Sequence, residues 1–83
     1  MKQVIRFTAA WCGPCKVYAP TFERVASEVS GVQFETVDVD STDPRITEMG
    51  IRGVPTTVVL ENGQVVKKQS GNMGAEQLKQ LIG

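Results

Sequence analysis

The stretch Val4-Ile5-Arg6-Phe7-Thr8-Ala9-Ala10-Trp11-Cys12-Gly13-Pro14-Cys15 decides how this chain is organised. Its first part, Val4-Ile5-Arg6-Phe7, reads as a short strand of β-branched and aromatic residues. Beyond it, apolar residues recur at Cys15, Ala19, Phe22, Val25, Ala26 and Val29, the repeat of a helix. The turn from strand to helix therefore falls on Trp11-Cys12-Gly13-Pro14-Cys15, which holds both cysteines of the chain.

Only a thiolate attacks a disulfide, and the unpaired N–H groups at a helix N-terminus favour negative charge. Cys12 is placed as the N-cap, with Gly13, Pro14 and Cys15 as the first helical residues. Pro14 has no N–H to give, so the backbone donor left for the Cys12 sulfur is that of Cys15. Cys15, further into the helix, is close enough to close a disulfide with Cys12. Cys12 is the expected attacking thiol and Cys15 the resolving one.

Eighty-three residues suit one domain, residues 1–83, near the size at which a single core is barely sufficient. The nine basic and nine acidic side chains cancel and are scattered, so neither nucleic acid nor an anionic membrane surface is an expected partner. No run approaches the ~18 apolar residues of a membrane span. Met1-Lys2-Gln3 leads into a strand rather than a signal-peptide core, so a soluble cytoplasmic protein is expected. Thiols stay reduced in that compartment, and closing so short a loop removes little unfolded-chain entropy. C-x-x-C is there a redox motif before it is a stabilising bridge. Zinc lacks its ligands, since two cysteines and no histidine are present. The same lack of histidine removes a Ser-His-Asp triad, and the glycines fit no phosphate cradle.

In chain order, a strand over about 3–8 is followed by a helix reaching about Ser30 and stopped by Gly31, with Pro20 expected to kink it. Residues 32–40 form a second strand, parallel to the first through a right-handed helical crossover. A short helix is expected over about 44–49, started by Ser41-Thr42-Asp43-Pro44 and closed by Gly50. Thr56–Leu60 and Gln64–Lys68 flank Asn62-Gly63, a strong hairpin signal. Ala75, Leu78, Leu81 and Ile82 share one face of a last helix.

Three blocks carry a family resemblance: Trp11-Cys12-Gly13-Pro14-Cys15-Lys16 with Ala19-Pro20, Gly50-Ile51-Arg52-Gly53-Val54-Pro55-Thr56, and Asn62-Gly63 with Gly71 after it. In motif, spacing and element order the chain resembles the thioredoxin family over essentially its whole length. The resemblance implies an α/β minimal thioredoxin fold: a four-stranded mixed sheet of order 2-1-3-4 with three helices, without the family's usual N-terminal strand and helix. Strand 32–40 is then an open edge, which Glu35, Asp38 and Asp40 protect by charge. It implies a cis Val54-Pro55 bond facing the cysteines, and a docking surface of Trp11, Val54, Pro55 and Gly71. Trp11 is expected on the exposed rim, with Gly13 and Pro14 setting the rigidity of the turn. The implied activity is reduction of protein disulfides through a reversible Cys12–Cys15 dithiol, with no bound cofactor because the electrons reside on the two sulfurs. Implied partners are a flavin-containing thioredoxin reductase and targets such as ribonucleotide reductase, met by a monomer. Two other readings stand beside it: a glutaredoxin-like protein recharged by glutathione, and a redox-independent binding subunit of a partner enzyme.

Two substitutions depart from the family pattern. Arg6 stands where a buried aspartate is usual beneath the active site, and Thr36 where that aspartate's lysine neighbour is usual. A guanidinium stays protonated and cannot accept the inner cysteine's proton, which leaves transfer through water. Arg6 is expected to favour the Cys12 thiolate by its charge, the other reading being that it snorkels to an acidic surface neighbour. Lys16, in the first turn, slightly favours a nearby thiolate as well.

Overall fold

Strand β1 (Lys2–Thr8) is the centre of the molecule, because it is hydrogen-bonded along both edges. A computed structural model describes all of residues 1–83. Helix α1 (Gly13–Glu28) carries the chain back to β2 (Val32–Asp38), which pairs with β1 in parallel from Lys2↔Val32 to Thr8↔Asp38. After the short α2 (Arg45–Glu48), strand β3 (Thr56–Glu61) pairs antiparallel with the other edge of β1. The hairpin to β4 (Gln64–Ser70) and helix α3 (Ala75–Ile82) complete the chain. The sheet order is β2-β1-β3-β4, as the family resemblance implies.

Alternation along β1 divides the core. Val4 points with Val59 toward α1 and α3, where Tyr18, Phe22, Val25, Leu78 and Ile82 close over them. Ile5 and Phe7 point the other way, with Val37, Val58 and Leu60, and are covered by Ile46, Met49 and Ile51. One face is thus sealed by two helices and the other by α2 and its flanking loops. The polar link across the first face is Tyr18, whose hydroxyl lies 2.8 Å from Thr57 Oγ1.

Several boundaries differ from the sequence expectation, each for a local reason. Helix α1 ends at Glu28 because Val29 turns extended and packs against the first cluster, and Gly31, at φ +76°, then reverses the chain. Strand β2 stops at Asp38 because β1 ends opposite it at Thr8. Strand β4 runs to Ser70 because β3 offers a partner as far as Thr56. Helix α2 is one short turn whose first N–H, on Arg45, donates to the Asp43 carboxylate at 2.9 Å. At the hairpin, Asn62 and Gly63 have φ of +52° and +82°, the left-handed pair that a two-residue turn needs.

Arg45 ties α2 to the sheet edge. Its Nη1 and Nη2 donate to the two carboxylate oxygens of Glu35 at 2.9 and 2.6 Å, and Nε and Nη2 donate to Asp43. The Arg45 guanidinium lowers the pKa of Glu35 and holds Asp43 down at about 2. Glu35 and Asp43 therefore stay ionised in the fold at pH values where the unfolded chain binds protons. Their contribution to stability is present above the ordinary carboxylate range and is lost as pH falls toward 2.

Two outcomes follow for this fold. Carboxyl NMR titration of the intact protein should place the Asp43 midpoint near 2, and Arg45→Met should return it to the ordinary aspartate range; an ordinary midpoint before substitution would mean that the cluster does not form in solution. Urea unfolding should show Leu78→Ala, at a fully buried position, losing about 2–5 kcal/mol. Val65→Ala, at a half-exposed position of β4, should stay within about 0.5 kcal/mol.

Candidate active site

The turn after β1 is closed by the Cys12 N–H donating to Ala9 O at 3.2 Å, and the Lys16 N–H donates back to Cys12 O at 3.3 Å to start α1. Cys12 is the N-cap, in extended backbone, and the Cys15 N–H donates to its sulfur at 3.1 Å. Cys12 and Cys15 are joined as a disulfide with their Cα atoms 5.3 Å apart. Both are buried, and together with Ala9 they form a small cluster lined by Val39 and Val54. Gly13 and Pro14 are exposed at the start of the helix. A Cβ on Gly13 would meet nothing within 4 Å, so the glycine leaves the turn bare rather than relieving a clash.

The loop before β3 is the second wall. Its Val54-Pro55 bond is cis, and Val54 O lies 3.8 Å from Cys12 Sγ. The Gly71 N–H donates to Pro55 O at 2.8 Å, and the Thr56 hydroxyl donates to Gly53 O at 2.7 Å. Gly71 holds φ +88°, a conformation that β-carbon-bearing residues rarely adopt, so this closure needs glycine. Cys12, Val54, Pro55 and Gly71 are thereby brought to one end of the sheet.

Trp11 forms the rim. The residue is 69 % exposed, and its indole N–H donates to Asp40 Oδ2 at 2.9 Å. Between Trp11 and Val54 runs a groove of about 230 Å³ lined by Val39, Ile46 and Ile51, with Arg52 beside it. Sequence reasoning assigned Asp40 to the sheet edge and left Val39, Ile46 and Ile51 out of the site. Sequence carried no signal for this bond, because an exposed indole N–H can donate to water and the acceptor 29 residues away is placed by the parallel register of β2.

Arg6 does not snorkel to an acidic neighbour. It is 7 % exposed, and Nε and Nη2 donate to Thr36 Oγ1 at 3.3 and 3.0 Å. Its guanidinium carbon stands 5.1 Å from the centroid of the Phe22 ring. Arg6 and Cys15 line a second cavity, about 300 Å³, together with Lys16, Ala19 and Asp38. Lys16 itself is exposed.

Chemically, the arrangement is a disulfide at a helix N-terminus, with a backbone donor on one sulfur and an open groove beside it. No three His, Cys, Asp or Glu side chains come together in a way that would hold a metal. No helix is long and apolar enough to cross a membrane.

Residues 1–83 match the family model described as Thioredoxin. The chain is similar to the thioredoxin of Mycoplasmoides gallisepticum, with 38 % identity over 81 residues that take in 98 % of this chain and 81 % of that protein. It is 41 % identical to the thioredoxin of Mycoplasma pneumoniae over 98 % of this chain and 79 % of the relative. Among solved structures, a thioredoxin of Malassezia sympodialis superposes with a TM-score of 0.86 at 39 % identity, over 98 % of this chain and 71 % of that one.

The Trp11–Asp40 bond is open to a direct check. With Asp40→Ala the indole proton loses its acceptor, so its NMR resonance should move upfield and its exchange with solvent should quicken. The pair is exposed, so thermal unfolding should shift by no more than about a few degrees. An indole resonance unmoved by the substitution would place the acceptor elsewhere.

Proposed function

The chain belongs to the thioredoxin family and is a protein thiol–disulfide oxidoreductase whose redox centre is the Cys12–Cys15 pair; we propose that Cys12 is its attacking sulfur and Cys15 its resolving one. The observation that carries this assignment is the Cys15 N–H donated to Cys12 Sγ at 3.1 Å. After reduction the same donor, and the positive end of α1, stabilise negative charge on Cys12 more than on any other sulfur.

The cycle then runs without a bound cofactor. Cys12 thiolate attacks one sulfur of a target disulfide and the other target sulfur leaves as a thiolate. Cys15 thiolate next attacks Cys12 Sγ, closing the Cys12–Cys15 bond and releasing the second target sulfur with the electron pair. Two electrons pass from the protein to the target, and the released thiolates take protons from water.

Trp11, Val54, Pro55 and Gly71 form the docking surface of this reading. A target segment laid in extended form against the Val54 backbone would hold its disulfide over Cys12, because the bare Gly13 leaves room for a partner's main chain. Lys16 and Arg6 place positive charge near the cysteine pair and favour the ionised dithiol.

Family membership implies protein disulfides as substrates and a reductase as electron source. We assign the reductase to the flavin-containing thioredoxin reductase class and place ribonucleotide reductase among the targets. In this reading residues 1–83 act as one domain and as a monomer. It serves electron transport and redox homeostasis in the cytoplasm, without nucleic-acid or membrane partners.

Insulin reduction by dithiothreitol tests the two sulfurs separately. Cys12→Ser should abolish the activity. Cys15→Ser should trap a stable mixed disulfide through Cys12 and slow turnover by at least about a hundredfold, the range of a lost reacting group. A trapped adduct on Cys15 in the Cys12→Ser variant would reverse the assignment. Reduction by thioredoxin reductase faster than by glutathione, measured side by side, supports the reductase class named here.

A further inference from the structure

A buried cation without an anion is the feature that the cycle above leaves unexplained. Arg6 has no carboxylate within ion-pair distance, since the salt bridges of the molecule involve only Arg24, Arg45 and Lys79. Its hydrogen bonds go to one neutral hydroxyl, that of Thr36. Nη1 has no partner in the protein, and no buried side-chain nitrogen is left unsatisfied, so Nη1 reaches water. The cavity that Arg6 lines has Cys15 in its wall and not Cys12. Cys12 Sγ lies 3.8 Å from Val54 O, on the loop before β3.

We propose that the counter-charge of Arg6 is the thiolate of Cys15, so that Arg6 is a positioning residue that promotes the resolving step rather than the first attack. The inference rests on the disulfide-reductase reading and assigns the electrostatics of its second half. Burial of a guanidinium is costly without an anion, and the Phe22 ring face offsets only part of that cost. In the disulfide both sulfurs are neutral and Arg6 is unmatched. When the Cys12–Cys15 bond opens, an electron pair arrives on Cys15 and the match is made.

The same charge then acts in both directions. During reduction of the protein, an incoming thiolate attacks Cys12 Sγ, the intramolecular bond breaks, and Cys15 leaves as a thiolate in the wall of the cavity that Arg6 also lines. During reduction of a target, that thiolate attacks Cys12 Sγ in the mixed disulfide and expels the target sulfur with its electron pair. A stabilised Cys15 thiolate is a better leaving group in the first step and a more abundant nucleophile in the second.

Other charged and titratable groups near Cys15 do not take this role. Lys16, next in the helix, adds positive charge at the exposed rim of the cavity. Asp38, across the cavity on β2, already accepts the Asp40 N–H at 2.8 Å and would oppose a thiolate. Burial pushes the Tyr18 hydroxyl up despite its bond to Thr57 and the Arg6 charge, so Tyr18 stays neutral at physiological pH. Arg6 is left as the buried charge able to favour the anion.

The test reads each sulfur alone. In a Cys12→Ser chain, thiolate ultraviolet absorbance against pH should give a Cys15 midpoint below the range of a free thiol, although Cys15 is only 2 % exposed and burial alone would raise it. Arg6→Gln in the same chain should cut the Cys15 thiolate fraction at pH 7 about tenfold, and Arg6→Lys should restore most of it. A Cys15 midpoint at or above that of a free thiol overturns the proposal without any Arg6 variant, whether or not those variants fold. A midpoint indifferent to Arg6→Gln also overturns it. If the shift appears instead on Cys12, measured in a Cys15→Ser chain, the assignment to Cys15 fails while insulin reduction by the intact pair still supports the reductase reading. Loss of insulin reduction in the unaltered protein would sink that reading itself.

Discussion

Strand β1 is held on four sides, and the active end of the molecule is a consequence of how. It is paired along one edge with β2 and along the other with β3, and Val4, Ile5, Arg6 and Phe7 are all at most 7 % exposed. Its carboxyl end, at Thr8, is where the chain turns into Cys12. The parallel partner β2 delivers its own carboxyl end, Asp38 and then Asp40, to the same place. The antiparallel partner β3 delivers its amino end, because Phe7 is opposite Thr56. One parallel and one antiparallel neighbour are therefore what bring the cysteine turn, the Trp11 acceptor and the Val54-Pro55 loop together.

The two faces of the sheet share this work unequally. Helices α1 and α3 seal one face with side chains from regular elements. On the other, Ile5, Phe7, Val58 and Leu60 are covered by Ile46, Met49 and Ile51, and Val54 packs against the same cluster. The segment that covers the core there is also the segment that ends in the cis Val54-Pro55 wall of the groove. Its anchorage depends on Arg45, which reaches from α2 to Glu35 on β2. Core and docking wall are thus a single piece of chain, so a change that loosens the cluster also moves the groove.

How much of this was legible in the sequence depended on range. Local chemistry was readable: Asn62-Gly63 takes positive φ at both positions, and a missing N–H on Pro14 leaves the Cys15 N–H for the Cys12 sulfur. The order of the strands came from the family resemblance carried by the Trp11–Lys16 and Gly50–Thr56 blocks, and the sheet agrees with it. Element ends were less readable, since β2 stops where β1 stops and β4 continues while β3 does. Side-chain pairings across the sheet were not readable from periodicity: the family resemblance set Thr36 beside Arg6, and nothing set Asp40 against Trp11. Arg6 meets Thr36 because the parallel register sets them side by side, and Asp40 meets Trp11 because the same register carries it past the end of β1. Periodicity along the chain says which face a residue takes and nothing about what stands opposite it.

The sign of the residue beneath the cysteine pair decides which redox state bears an electrostatic cost. The pair is neutral as a disulfide and negative when reduced and ionised, so a fixed buried charge cannot be matched in both. An ionised carboxylate at that position would set like charges together in the reduced state and would be relieved by taking up a proton. A guanidinium does not release its proton, so the burden falls on the disulfide state instead. What makes this tolerable is visible around Arg6: a hydroxyl to accept two of its N–H groups, an aromatic face, and one edge left to water. Those contacts soften the unmatched state without supplying an anion, and so they leave the sulfur as the place where charge is best gained.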